Sequence, residues 1–379
     1  MRIGVVTLPL HTNYGGILQA YALQRVLQDM GHDVVLLDSY PQCPRLKPFP
    51  LQQLTYIKRL VKNAISPHKI PIFYEKLQIA RYPKKEHIRQ FYRQHVCHIP
   101  FPSTTLNPTD FDALIVGSDQ VWRPIYYSKN ISNRYLLFAK DWSQVKRIAY
   151  ATSFGTDEWE YTEKQTAVCR DLVQLFDAVS VREESGVALC REHLGVEASW
   201  VLDPTLLVDV KHYMEHIDKV TTSNPPFMCF GYILDASEEK EAIFQHIAKS
   251  KGYNMVAFRN VDDPDNSAAP TVEEWLKAFH DAEFVFTDSF HGCVFSIIFN
   301  KPFVVYGNKE RGMARFHSLL AQFGLEDRLI TTLDDAASIA CQSIDWDRVN
   351  TRLSELRHTS QEYLLSAISR IILKNNSVR

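Results

Sequence analysis

The chain has 379 residues, of which 45% are hydrophobic and 23% charged, and its formal net charge is −2. That length suits two globular domains of about 100–200 residues each. The near-neutral balance gives no global reason to expect a nucleic-acid partner, and no run reaches the ~20 apolar residues needed to span a bilayer.

Seven cysteines are present, Cys43, Cys97, Cys169, Cys190, Cys229, Cys293 and Cys341. The number is odd, the spacing wide and no C-x-x-C occurs, which argues against a disulfide framework or a zinc site and suits a reducing compartment. Cys293 lies near a histidine and invites a nucleophile reading. A small buried hydrophobe is the preferred one. At the N-terminus the apolar run Ile3–Leu10 breaks at His11-Thr12-Asn13, too early for a secretory signal, and reads as a first buried strand. A cytoplasmic protein is expected, with any membrane role peripheral.

In chain order, Ile3–Leu8 predicts a strand, His11–Gly16 a loop, Ile17–Met30 a helix ended by Gly31, and Val34–Leu37 a second strand. Apolar strands separated by a helix imply a parallel sheet. Residues 45–100 then depart in composition, with many Lys and Arg against only Glu75 and Glu86. Leu54, Ile57, Leu60, Val61 and Ile65 share one helical face, with Lys58, Arg59 and Lys62 beside it. The segment reads as an insertion after the second strand.

The alternating pattern resumes with strands at Phe111–Val116 and Arg147–Ala151, a helix near Glu163–Phe176, a strand at Ala178–Val181, a helix at Glu184–Leu194 and a strand at Trp200–Leu202. A boundary falls near 208–226, where Thr221 to Pro226 reads as a linker. A second set follows: strands at Phe227–Leu234, Met255–Phe258, Phe284–Thr287 and Phe303–Tyr306, with helices at Glu238–Lys251, Val272–His280, Gly292–Phe299 and Met313–Phe323. A last amphipathic helix, Trp346–Leu373, is expected to pack back across both domains. The fold class is therefore α/β, with two Rossmann-like domains facing a cleft, at 1–210 and 226–345, and a C-terminal helical stretch at 346–379.

Ligands of open parallel sheets bind beyond the carboxyl ends of the strands, so the loops after predicted strands are the candidate sites. In His11-Thr12-Asn13-Tyr14-Gly15-Gly16, two glycines permit close backbone approach and a helix N-terminus favours anions. The alternative is a plain tight turn. No G-x-G-x-x-G occurs, which weakens a dehydrogenase reading. In Gly117-Ser118-Asp119-Gln120-Val121-Trp122, a carboxylate, an amide and an indole suit a sugar, and Asp119 suits a base, unless Ser118 and Asp119 merely cap. Arg182, in Arg182-Glu183-Glu184-Ser185, can grip a carboxylate or phosphate, or pair with its glutamate neighbours. In Asp288-Ser289-Phe290-His291-Gly292, His291 sits at a helix N-terminus and suits proton exchange near neutral pH. Downstream, Lys309, Arg311 and Arg315 place three cations after a strand, where an anionic donor or simply solvent would meet them.

This ordered set resembles the polysaccharide pyruvyl transferase family over residues 1 to about 330. The likeness is carried by Asn13-Tyr14-Gly15-Gly16 with Gln19-Ala20-Tyr21-Ala22-Leu23-Gln24, by the Gly117–Trp122 loop, and by Arg182-Glu183-Glu184-Ser185, Asp203-Pro204-Thr205 and Asp288-Ser289-Phe290-His291-Gly292. The resemblance implies a glycosyltransferase-B-like fold. It implies phosphoenolpyruvate as co-substrate and a pyruvate ketal as product, formed on two hydroxyls of one sugar of a bacterial surface polysaccharide; a lipid-linked precursor is the expected acceptor, since such glycans are built on lipid carriers. Family members carry an essential histidine where this chain has His291 and a donor-binding arginine where it has Arg182. Many also have an arginine two residues before the histidine, where this chain has Ser289; Arg311 or Arg315 is expected to replace its charge.

The expected roles are then His291 as acid and Asp119 as base. Arg182, Arg311, Arg315, Lys309 and Ser289 take the donor, and Asn13, Tyr14, Gly15, Gln120 and Trp122 take the acceptor. No metal is called for, because arginines neutralise the donor. The basic insertion 45–100 is expected either to touch the inner leaflet of the cytoplasmic membrane or to lie as a solvated helix over its domain. Two alternatives stay open on these residues: a nucleotide-sugar-dependent glycosyltransferase and a non-catalytic glycan-binding protein.

Overall fold

The structure is a computed structural model that describes residues 1–9, 13–38, 43, 45–65, 71–101, 106–127, 131–260, 269–307 and 312–376, with side chains to residue 369. The first sheet is built from β1 (Arg2–Val6), β2 (Asp33–Leu37), β3 (His98–Ile99), β4 (Ala113–Val116), β5 (Lys146–Thr152), β6 (Ala178–Val181) and β7 (Ser199–Trp200). All its pairings are parallel, in the order β3-β2-β1-β4-β5-β6-β7. The second sheet holds β8 (Met228–Ile233), β9 (Asn254–Arg259), β10 (Phe284–Thr287), β11 (Phe303–Tyr306) and β12 (Leu329–Ile330). It is also parallel, in the order β12-β11-β10-β8-β9. Each sheet reverses its strand order once, between β1 and β4 and between β8 and β10. A crevice opens at such a reversal because the flanking helices leave to opposite faces.

The central strands are buried on both sides, which is why they read as unbroken apolar runs. One continuous core joins the two sheets. It runs from Ile3, Leu18 and Ile115 through Leu206 and Tyr213 to Phe295 and Trp275. Tyr213 meets Phe295 edge to face at 5.1 Å. The C-terminal helix Trp346–Asn376 crosses from one sheet to the other. Arg348 donates to the carbonyl of Gly324 beside the second sheet, while Ser360 accepts from the Leu202 amide beside the first. No helix among the described residues is long and apolar enough to cross a membrane.

Three local differences from the sequence expectation matter for the site. The first helix starts at Tyr14, because Asn13 caps it by accepting from the Gly15 amide, so both glycines lie in its first turn. The helix after β10 starts at Phe290, because Ser289 caps it by accepting from Gly292, so His291 is inside its first turn. The basic segment is not a simple add-on. Its helices Leu51–Ile65, Tyr74–Arg81 and Glu86–His95 lead into the edge strand β3, and Ile88, Phe91 and Tyr92 enter the common core.

Candidate active site

A cavity of about 490 Å³ lies where the two strand-order reversals face each other. Leu8, Pro9, Asn13 and Gly16 reach it after β1, and Asp119 and Gln120 after β4. Opposite them stand Leu234 after β8 and Asp288 to His291 after β10, with Arg315 from the helix Ala314–Phe323. Tyr126 and Tyr127 line one side, and Tyr74 reaches over from the basic segment.

His291 is 4% exposed, and its Nε2 has no hydrogen-bond partner. The nearest carboxylate, Asp203 Oδ2, is 3.8 Å away. Burial lowers the imidazole pKa below its ordinary value; Asp203 and Asp119 oppose the shift, while Arg182 and Arg315 add to it. The free ring is therefore neutral at neutral pH. The ring lies directly on the first turn of the opposite helix. A Cβ added to Gly15 would fall 2.1 Å from His291 Nδ1, so only glycine lets the two halves meet here. Asp119 holds a left-handed backbone, φ 68°, a conformation that Asp tolerates better than most residues. Its carbonyl accepts from the amides of Val121 and Ser153, which fixes the loop.

The sequence reading puts Arg182 on the donor; the structure places it beneath the site instead. Its Nη1 donates to Asp203 Oδ2 at 2.6 Å, its Nη2 to Asp119 Oδ1 at 3.3 Å and its Nε to Glu183 Oε1 at 3.4 Å. Phe290 covers the guanidinium face at 4.2 Å. The side chain is 2% exposed and does not line the cavity. Burial works against its charge, but the three carboxylates outweigh that and hold its pKa above the ordinary arginine value. Asp203 shows the reciprocal effect: burial would raise it, yet Arg182 and His291 bring it down to about 2. Arg182 and His291 thus meet through one oxygen of Asp203.

Arg315 lies across the same Phe290 ring, 5.6 Å from its centroid, and does line the cavity. Burial, then Arg182, lowers its pKa to about 10, so it remains charged at neutral pH. Ser289 lines the cavity while capping its helix. Asp288 is engaged structurally, accepting from the amides of Leu234 and Asp235 and from Lys240 Nζ. Lys309 and Arg311, like His11, lie outside the described residues.

Two expected acceptor contacts do not face the cavity. Trp122 is fully buried, stacked on Tyr135 at 4.7 Å with its Nε1 donating to the Arg134 carbonyl. An indole with both faces packed offers no platform to a sugar. Tyr14 is also fully buried; it stacks on Trp275 at 5.5 Å and donates to the Pro270 carbonyl. It joins the two halves and does not line the cavity. Asn13 and Gln120 do line the cavity, and Gly15 lies beneath His291. Cys293 is fully buried with its thiol pKa raised by burial, as suits a packing residue.

Sequence reasoning missed Tyr74, Tyr126 and Tyr127. A pair of adjacent tyrosines a few residues beyond Asp119 was the available signal. It also gave Asp203 no role, although the residue lies in a quoted motif just after β7. Among the described residues, the group able to hold a metal is His95, His216 and Glu273, which shares no residue with this cavity.

The chain is similar to several solved structures. UDP-N-acetylglucosamine 2-epimerase from Rickettsia bellii matches at 11% identity over 100% of this chain and 99% of that one, with a TM-score of 0.50. UDP-GlcNAc 2-epimerase from Neisseria meningitidis matches at 9% identity over 98% and 100%, TM-score 0.49. A mutant O-GlcNAc transferase from Thermobaculum terrenum matches at 12% identity over 98% and 67%, TM-score 0.41. At such identities the likeness to the Rickettsia enzyme speaks to the fold alone. No curated protein matches the chain. The family described as polysaccharide pyruvyl transferase matches residues 13–310, which takes in every cavity-lining residue except Leu8, Pro9 and Arg315. The protein belongs to the polysaccharide pyruvyl transferase family.

Proposed function

We propose that the protein moves the pyruvyl group of phosphoenolpyruvate onto two hydroxyls of one sugar in a lipid-linked surface polysaccharide precursor at the cytoplasmic face of the membrane. The observation that carries this reading is His291: a buried imidazole with an unpartnered Nε2, in a cavity shared with Arg315 and Asp119. The half of the chain at 1–210 presents the acceptor and the half at 226–345 the donor.

In the first step a sugar hydroxyl adds to C2 of phosphoenolpyruvate while a proton reaches C3, turning the methylene into a methyl group. Asp119 takes the hydroxyl proton and His291 supplies the other. In the second step the neighbouring hydroxyl attacks C2, phosphate leaves with the bonding pair, and the ketal ring closes. The hydroxyl proton lost in this step balances the one carried off by phosphate. His291 is neutral in the free protein, so it must gain a proton before it can give one. An incoming phosphate beside it favours the imidazolium, which couples donor binding to proton uptake. Arg315 answers the donor's negative charge, Lys309 and Arg311 are assigned the same task, and Ser289 places a helix N-terminus against the phosphate. Asn13, Gln120 and the Gly15 turn hold the acceptor. Arg182 acts through Asp203 and Asp119, setting their positions and charge.

The test is phosphate release from phosphoenolpyruvate with a panel of aryl or lipid-linked galactosides and N-acetylhexosamines, with mass spectrometry for a gain of one pyruvate less water. His291→Ala should fold and lose at least about 10²-fold in turnover, the scale of general acid–base catalysis. A folded variant keeping more than about a tenth of wild-type turnover is incompatible with the acid role.

A further inference from the structure

The helix Leu51–Ile65 lies on the protein with its polar side inward. Gln52 and Tyr56 are its buried residues. Arg59, on the same side, makes a two-pronged pair with Glu75 at 2.6 and 2.5 Å and also donates to the Ile72 carbonyl. The opposite side carries Leu51, Leu54, Ile57, Leu60, Val61 and Ile65, each between 50% and 83% exposed. Their spacing makes one continuous stripe along the helix. Phe49, 80% exposed, extends it at the N-terminal end. A surface helix of a globular protein turns such a stripe toward the core; here the clamp of Arg59 on Glu75 turns it outward. Contiguous exposed apolar surface of this kind marks a docking site.

Charge identifies the occupant. The acidic side chains of residues 45–100 are Glu75 and Glu86. Glu75 is engaged by Arg59, and Glu86 by Arg89 and Arg93. Lys58 and Lys62 are exposed on the helix beside the stripe, and Lys47 and Lys76 are exposed in the flanking chain. A second copy on this face would bring one basic rim against another. An anionic lipid surface offers hydrocarbon for the stripe and opposite charge for the rim together.

We propose that this face seats the protein on the surface of a bilayer containing anionic lipid. The helix lies in the interface plane and does not span it. The seat adjoins the cavity: Tyr74, the first residue of the next helix, lines the cavity and stands 5.6 Å from the Arg59 guanidinium. Seating therefore brings the cavity to within one helix diameter, about 10 Å, of the membrane surface. Only its purpose, presenting a lipid-linked acceptor, rests on the proposed function.

The test floats the full chain with vesicles of phosphatidylcholine alone or with about 30% phosphatidylglycerol. Wild-type protein should rise with the anionic vesicles and stay behind with the neutral ones. The triple variant Leu54→Gln, Ile57→Gln, Val61→Gln should lose at least about tenfold in partitioning. The pair Lys58→Glu, Lys62→Glu should lose a comparable amount on anionic vesicles. All substituted positions are exposed, so unfolding midpoints should match wild type. Equal flotation of wild type and both variants, or none by wild type, overturns the proposal. Sedimentation showing a dimer that the triple variant abolishes reassigns the face to a second copy and also overturns it. Turnover of a soluble aryl glycoside should be unchanged in both variants. Flotation without turnover on any acceptor sinks the proposed reaction and leaves the docking standing.

Discussion

Replacing Arg182 with methionine removes the cation that joins Asp203, Asp119 and Glu183 beneath the cavity. The side chains of Asp203 and Glu183 are fully buried, so water reaches only Asp119, from the cavity, and cannot restore what the other two lose. Removing one partner of a buried ion pair typically costs about 3–5 kcal/mol, because the other charge stays behind unpaired. Against a total stability of about 5–15 kcal/mol this is a large fraction, and it corresponds to a melting shift of roughly 10 °C for a domain of this size. The pH dependence gives a second readout. In the wild type, Asp203 has its pKa lowered to about 2, so its contribution is full above the ordinary carboxylate value and is lost as pH falls toward 2. Without Arg182 the largest influence opposing burial is gone, with His291 and Thr205 left to lower that pKa, so it should rise. The deficit of the variant should therefore be larger at pH 8 than at pH 5, where the stranded carboxyl takes up a proton. Adding Asp203→Asn should recover part of the loss, measured as a coupling energy in urea unfolding. If Arg182→Met unfolds at the wild-type midpoint and only raises the KM for phosphoenolpyruvate, the buried-network account is wrong and Arg182 is a donor ligand.

Gly15→Ala should cost about 1–3 kcal/mol in urea unfolding, because its methyl group would meet the His291 ring, and turnover should fall about 10²-fold through the displaced imidazole; wild-type turnover would show that the ring's seat is not needed. Arg315→Met, which removes a cation from the cavity wall, should raise the KM for phosphoenolpyruvate by about tenfold or more with little change in the KM for acceptor. His216 is buried with its pKa lowered to about 4, by burial first and then by His95 and Lys219. The unfolded imidazole titrates near 6.5, so the unfolded state binds the proton first as pH falls. Stability should drop by on the order of 2 kcal/mol between about pH 6.5 and 4, and His216→Phe should flatten that slope in urea titrations.

The strands and the loops that follow them are legible in the chain because their causes are local. β4 and β10 are short apolar runs buried on both faces, and each is followed at once by small or polar residues that turn the chain. Asn13 and Ser289 cap their helices through atoms two or three residues away. Gly15 and Gly16 read as loop because glycine in a first turn shows nothing of what lies on it, and His291, far along the chain, lies on Gly15. At the second helix the cap on Gly292 from Ser289 brings Phe290 and His291 into the first turn, two residues before the expected start.

The sequence by itself determined the parallel α/β class, the two sets of strands, the order of the candidate loops and the amphipathic period of residues 51–65. The tertiary structure alone decided which charges are consumed and which face outward. Arg182 is a network cation because Asp119 and Asp203 arrive at it from two other loops to join its neighbour Glu183. Trp122 and Tyr14 became packing residues because Tyr135 and Trp275 cover their rings. The apolar stripe of the helix Leu51–Ile65 faces out because Glu75 holds Arg59 on the inner side. Periodicity fixes that a helix has two faces, but which one turns inward depends on partners brought together only by the folded chain.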